Sequence, residues 1–145
     1  MTDHLETCLL CQLSARELEV TIVHEDERTV TLIDIQPVQP GHMLIVPRVH
    51  AAYLADLDPE DGAHMFRVAQ AAAAALRRSP LRCEGVNLFL ADGAAAGQEV
   101  FHVHLHVFPR SEDDGFGLKM PPDYAVRPRR ELEAVGDHLR QAWAE

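Results

Sequence analysis

The chain has 145 residues, enough for one domain with a substantial buried core, and its 47% hydrophobic and 25% charged content is ordinary for a globular protein. Acids outnumber bases 23 to 13, giving a formal net charge of −10. That balance repels a polynucleotide backbone and sets nucleic-acid polymers aside as ligands, while a small phosphate ester can still bind in a locally positive pocket. No stretch approaches a transmembrane span, Met1 to Glu6 lack a basic-apolar signal pattern, and the odd cysteine count suggests a metal site or reduced thiols before disulfides. A cytoplasmic location is expected.

In chain order, residues 8–18 (CLLCQLSAREL) read as a short helix. Strand-like runs follow at Val20 to His24, Thr29 to Ile35 (TVTLIDI) and His42 to Val46 (HMLIV), the last after the Pro40-Gly41 turn signal. A long helix begins at Asp58, a good N-cap, with Pro59 in its first turn and Glu60 and Asp61 complementing the dipole. Phe66, Ala69, Ala73 and Leu76 recur at helical spacing, and Ser79-Pro80 stops the helix. Gly85 to Leu90 and Val100 to Phe108 read as two further strands, joined as a hairpin through DGAAAG. A stretch containing Gly and Pro leads to a final helix, about Arg129 to Trp143, with Leu132, Val135, Leu139 and Trp143 on one face. The expected class is α+β: a five-stranded, mainly antiparallel sheet, one long central helix and a C-terminal helix. No repeat or linker divides the chain.

The informative segment is VFHVHLHVF. Along a strand, alternate side chains share a face, so Val103, Leu105 and Val107 enter the core while His102, His104 and His106 line the other side. On a regular strand His102 and His106 stand about 13 Å apart, too far for all three imidazoles to share one zinc easily. The pattern instead singles out His104, flanked on each side by an imidazole. Imidazole is a competent nucleophile at neutral pH, provided its second nitrogen carries the proton. Cys8-x-x-Cys11 has the spacing for two thiolates on one metal, with two further ligands required from elsewhere. Cys83 lacks an obvious partner, and His4, His24, His64 and His138 are expected to face solvent.

HVHLHVF, the preceding AAGQEVF, the following PR and DIQPVQPGHMLIVPRVH at 34–50 together resemble the histidine-triad (HIT) superfamily, over about Cys8 to Gly117. The resemblance implies a HIT-like fold and a single domain over 1–145, with a catalytic core at about 8–117 and an appended segment and helix at 118–145. It implies a hydrolase or nucleotidyl transferase acting at the α-phosphate of a purine nucleotide conjugate, an AMP-amine phosphoramidate by preference, through a nucleotidyl-histidine intermediate. Dinucleoside polyphosphates are the nearest alternative substrate. A nucleotide-binding regulatory protein with negligible turnover and a small zinc-binding interaction module are the rival functions. In the family's terms His104 is the nucleophile, His106 contacts the phosphate or assists the leaving group, and His42 completes the cluster. Asp34 holds the ribose hydroxyls, and Leu10, Leu13, Leu32, Ile35 and Leu44 enclose the base. The Gly97-Gln98-Glu99-Val100 turn brings backbone N–H groups to the phosphate. Bacterial relatives with the Cys pair hold zinc with the histidine after the PGH strand and the first triad histidine. Here that set is Cys8, Cys11, His50 and His102, a closed structural site that leaves the chemical step metal-free. A homodimer is also implied, with no membrane partner.

Two positions depart from the family pattern. Many relatives carry Ser or Thr after the Gly-Gln pair, where this chain has Glu99, and Asn or Gln seven residues before that Gln, where it has Ala91. Both remove a polar donor from the phosphate side.

Overall fold

The computed structural model describes residues 7–143; His4 and the opening Met1 to Glu6 lie outside them. The chain divides into two compact units, Met1–Gly115 and Phe116–Glu145.

In the first unit, helix α1 (Leu9–Ser14) is followed by strands β1 (Ile22–Glu25), β2 (Thr29–Ile33) and β3 (Met43–Pro47), helix α2 (Pro59–Arg78), and strands β4 (Gly85–Phe89) and β5 (Leu105–Arg110). All neighbouring strands pair antiparallel in the order β1-β2-β3-β5-β4. Both faces of β3 are covered. Met43 and Ile45 stand with Leu105 and Val107 on the face packed by Met65, Val68, Ala69, Ala72 and Leu76 of α2. Leu44 and Val46 stand with Leu32 on the opposite face, under Leu10 of α1.

The helix at 8–18 ends sooner than its composition suggests. Arg16 adopts a left-handed conformation (φ 59°), and N–H groups of Arg16 and Glu17 return to the carbonyls of Leu13 and Gln12. This paired cap satisfies the last carbonyls and turns the chain toward β1. Arg16 then pairs with Glu25 on β1.

Helix α2 starts as expected, with the Asp58 side chain accepting from the Glu60 N–H. Its buried stripe is shifted from the one expected: Asp61, Met65, Val68, Ala69, Ala72 and Leu76 face inward, whereas Phe66 is exposed. The polyalanine run has little apolar contrast, so its pattern alone does not choose between neighbouring faces. Gly41, after Pro40, has φ +102°, and a Cβ there would come within 2.9 Å of Leu81 and 3.0 Å of Leu76. The turn into β3 therefore needs glycine both for its conformation and for the close approach of the chain after α2.

The largest correction concerns the histidine segment. Strand β5 begins at Leu105, not Val100, and no tight hairpin joins it to β4: residues 90–104 form a long connection with a 3₁₀ turn at Ala94–Ala96. In that connection Gln98 is buried, accepting from the Gly93 N–H and donating to the carbonyls of Ala52 and Val100. Val103 donates its N–H to Ala51. These bonds draw residues 98–103 toward the chain after β3 and away from a sheet ladder.

In the second unit, helix α3 spans Arg129–Trp143 as the sequence indicates, and Leu132, Val135, Leu139 and Trp143 are all exposed. No described helix is long and apolar enough to cross a membrane.

Candidate active site and metal centre

Four short segments carry the site: the start of α1, the turn before β3, the chain after β3, and residues 98–106. They create two histidine clusters that share the HVHLH segment.

The first cluster contains His42, His104 and His106. His106 stands across the ladder from Leu44 on one side and Phe89 on the other. His42 Nδ1 accepts the Val38 N–H at 3.0 Å, so its proton sits on Nε2. That Nε2–H donates to His106 Nδ1 at 2.9 Å, which leaves the His106 proton on Nε2. His104 Nδ1 lies 2.6 Å from the His102 carbonyl; only an N–H can donate there, so in the neutral ring the lone pair falls on Nε2. The His104 and His106 rings lie 4.9 Å apart, centroid to centroid. Thus the neutral His104 tautomer sets a lone-pair nitrogen beside the His106 N–H donor, the pairing needed to attack an anionic centre while hydrogen-bonding its oxygen.

Burial pushes His106 down to about 4, with His104 and His42 adding to the effect and Asp34 opposing it. Burial likewise lowers His42, again against Asp34. Both rings are therefore neutral at pH 7, as the hydrogen-bond chain requires. Asp34 lies beside the pair, its Oδ2 3.6 Å from His42 Nε2, and its Oδ1 accepts the Gln36 N–H and so closes the local turn.

The second cluster is Cys8, Cys11, His50 and His102, whose donor atoms all lie within 4.8 Å of one another. His102 is fully buried, not lining an open face, and its Nε2–H donates to the Pro47 carbonyl at 2.8 Å. That bond leaves Nδ1 as a lone pair, 3.3 Å from Cys11 Sγ, 3.5 Å from Cys8 Sγ and 3.2 Å from His50 Nδ1. A tetrahedral zinc with ordinary bond lengths has edges of about 3.4 Å between nitrogens and 3.6 Å between nitrogen and sulfur. The residues therefore fit a Cys₂His₂ zinc site in both donor chemistry and spacing. Burial, then the adjoining Cys8, pushes the Cys11 thiol up to about 12, a resistance to ionisation that a divalent cation would reverse. The departure of residues 102–104 from a regular strand lets His102 turn inward to this cluster while His104 and His106 stay together.

The other expected positions divide. Leu10, Leu32 and Leu44 form one apolar cluster, with Leu13 and Val100 packed against it. Ile35 is 98% exposed and stands apart from it. The N–H of Gln98 is spent on Gly93, and that of Gly97 on Ala94. The N–H groups of Glu99 and Val100 make no hydrogen bond among the described residues, so the amides open to an anion are narrowed to the end of the turn. Ala91 is buried and Glu99 exposed.

Sequence reasoning missed the carbonyls of Pro47 and His102, which set two tautomers; backbone partners leave no residue-type signal. It also missed that His64, expected to face solvent, is 2.8 Å from Asp26.

The HIT domain family model matches residues 15–113. A HIT-like protein of Mycobacterium tuberculosis is 36% identical over 138 residues, covering 95% of this chain and 94% of that protein. An adenylylsulfatase of Arabidopsis thaliana is 32% identical over 107 residues, covering 74% of this chain and 54% of the relative. Among solved structures, a HIT family protein of Bacillus anthracis superposes with a TM-score of 0.86 at 30% identity, covering 94% and 97% of the two chains. A zinc-bound histidine triad family protein of Mycobacterium smegmatis gives 0.75 at 36% identity, covering 94% and 98%. A histidine triad nucleotide-binding protein of Candida albicans gives 0.84 at 26% identity, covering 95% and 98%.

Proposed function

From the premise that this chain belongs to the HIT family, we propose that it hydrolyses purine nucleotide conjugates at the α-phosphate, an AMP-amine phosphoramidate by preference, through a nucleotidyl-histidine intermediate. The observation that carries the reading is the bare Nε2 of His104, held so by the His102 carbonyl and flanked by His106. The adenylylsulfatase and nucleotide-binding names of two relatives agree with it.

In the first step His104 Nε2 attacks phosphorus, the bond to the leaving nitrogen breaks, and that nitrogen takes a proton from solvent. The Nδ1–H bond to the His102 carbonyl strengthens as the ring gains positive character. The His106 Nε2–H and the amides of Glu99 and Val100 hydrogen-bond the phosphate oxygens, and His42 keeps His106 in its donating form. In the second step water attacks phosphorus, the P–Nε2 electron pair returns to His104, and the water loses a proton. One water is consumed: its hydroxide ends on phosphorus, its proton on the amine. Asp34 holds the ribose hydroxyls, and Leu10, Leu13, Leu32 and Leu44 offer the base an apolar wall, which Ile35 joins only by turning inward.

Zinc held by Cys8, Cys11, His50 and His102 would anchor α1 to the catalytic segment. Four protein ligands would leave no open position on the ion, so it would serve structure and the chemical step would need none. The whole chain acts as one HIT domain, with its catalytic core at 8–117 and residues 118–145 appended. A cytoplasmic location suits three free cysteines. A homodimer is supported by β4, an edge strand that exposes Leu88 and Phe89.

The test is His104→Ala. Turnover of an AMP-amine should fall by roughly a thousandfold or more with the fold retained, and acid-labile nucleotide label on the wild type should map to His104. A fully active variant refutes the mechanism. Label accumulating at one per site without release identifies a nucleotide-binding protein with negligible turnover.

A further inference from the structure

The two histidine clusters meet in one residue. His102 lends its ring to the Cys8/Cys11/His50 set and its carbonyl to the nucleophile, 2.6 Å from His104 Nδ1. What fixes that carbonyl therefore fixes which nitrogen of His104 is bare. The sheet does not, because β5 starts only at Leu105. The local backbone supplies two bonds, from the His102 N–H to Val100 and from the Val103 N–H to Ala51. The Val103 side chain is buried in the core under α2, and on the other side the carbonyl is anchored by the His102 ring, pinned by Pro47 at one nitrogen and by the cluster at the other.

We infer that Cys8, Cys11 and His50 are positioning residues for the nucleophile: by anchoring the His102 ring they hold the carbonyl that keeps His104 in its Nδ1–H form. This rests on His104 being the attacking residue, and it goes beyond a purely structural zinc site. When metal is bound, the ring of His102 cannot rotate about its Pro47 bond without breaking the coordination shell. Without metal, the two thiols and the His50 imidazole, at 3.2 to 3.5 Å, compete for the single Nδ1 lone pair of His102, which holds the set less firmly than four bonds to one ion would. A small shift of the His102 carbonyl then releases His104 Nδ1–H. The proton moves to Nε2 in part of the population, and each such molecule has no lone pair facing the phosphate. Metal loading thus acts on catalysis through a hydrogen bond two residues away, in a protein that stays folded.

Cys8 is the position to test, because it is only half-buried and lies at the helix start, whereas replacing the fully buried His102 would perturb packing directly. Full-length protein is prepared zinc-loaded, chelator-stripped, and as Cys8→Ser and Cys8→His, the last keeping a metal-binding donor. The ring nitrogens of His104 are read by ¹⁵N NMR, alongside thermal unfolding and steady-state kinetics on an AMP-amine. Zinc-loaded wild type should show His104 as the Nδ1–H form alone. The stripped protein and Cys8→Ser should show mixed tautomers while folded, with kcat lower by about tenfold to a hundredfold and KM changed little. Cys8→His with zinc should restore both. Folded, metal-free protein that keeps pure Nδ1–H His104 overturns the inference, as does a kcat loss that only follows the unfolded fraction. A tautomer shift in a protein whose wild type turns over no nucleotide conjugate supports the positioning role and refutes the hydrolase reading.

Discussion

Burial beside His42 and His104 pushes His106 down to about 4, which links this residue to stability as well as chemistry. An unfolded chain protonates the imidazole below about 6.5, whereas the folded protein resists until far lower pH. The stability contributed by neutral His106 is therefore whole above about 6.5 and is lost as pH falls toward 4. With metal stripped from both proteins, the denaturation midpoint should fall more steeply across that window in wild type than in His106→Gln; equal slopes would show that the imidazole is not held neutral by the fold. Glu99 poses a different question, since sequence could not say whether its side chain turns away from the site. It is exposed, and it lines an open cavity with Cys8, Leu9, His50, Ala52, Val100 and Phe101, where it is the one carboxylate among the described residues. None of His42, His104 and His106 lines that cavity; its link to the proposed reaction centre is through Glu99 and Val100, whose N–H groups make no hydrogen bond among the described residues. A leaving group bearing an ammonium suits this wall better than a chain of phosphates. Glu99→Ser should shift the kcat/KM ratio of an AMP-amine to a dinucleoside polyphosphate toward the polyphosphate by roughly tenfold, about 1.4 kcal/mol. An unchanged ratio would show that Glu99 does not select the leaving group.

At the scale of elements, β2, β3 and α2 were legible because each carries a strong local signal: β-branched residues, an apolar run after Pro-Gly, a capped helix with a basic end. The start of β5 was not. Val100 to His104 alternate as a strand does, yet buried Gln98 and the Val103–Ala51 bond pull them out of the ladder. Periodicity describes which face a side chain takes if the strand forms; it says nothing of competing backbone partners distant in sequence. Gly41 shows the same limit from the other direction. Its turn signal was local, but the approach of Leu76 and Leu81 was not. Gly41→Ala combines a left-handed strain with that contact, and it should cost about 1–3 kcal/mol in chemical denaturation. A loss below a few tenths would mean that the turn relaxes freely.

For the molecule as a whole, self-association is the open property most directly measured. The edge strand β4 exposes Leu88 and Phe89, and in its own unit α3 exposes Leu132, Val135, Leu139 and Trp143. Sedimentation equilibrium should return about twice the 16.1 kDa chain mass; a single-chain mass at micromolar concentration would refute the homodimer. The sequence by itself determined the α+β class, the candidate nucleophile and the cysteine pair of the Cys/His cluster, because each rests on residue identity and short-range spacing; the two histidines of that cluster came from the family resemblance. The tertiary structure brings His102 inward to Cys8, Cys11 and His50 and keeps His104 and His106 beside His42, the division that the family resemblance implied; it alone decided how that division is held. That division depends on backbone carbonyls of Pro47 and His102, and a carbonyl is the same in every residue: its partner is chosen by where the folded chain places it.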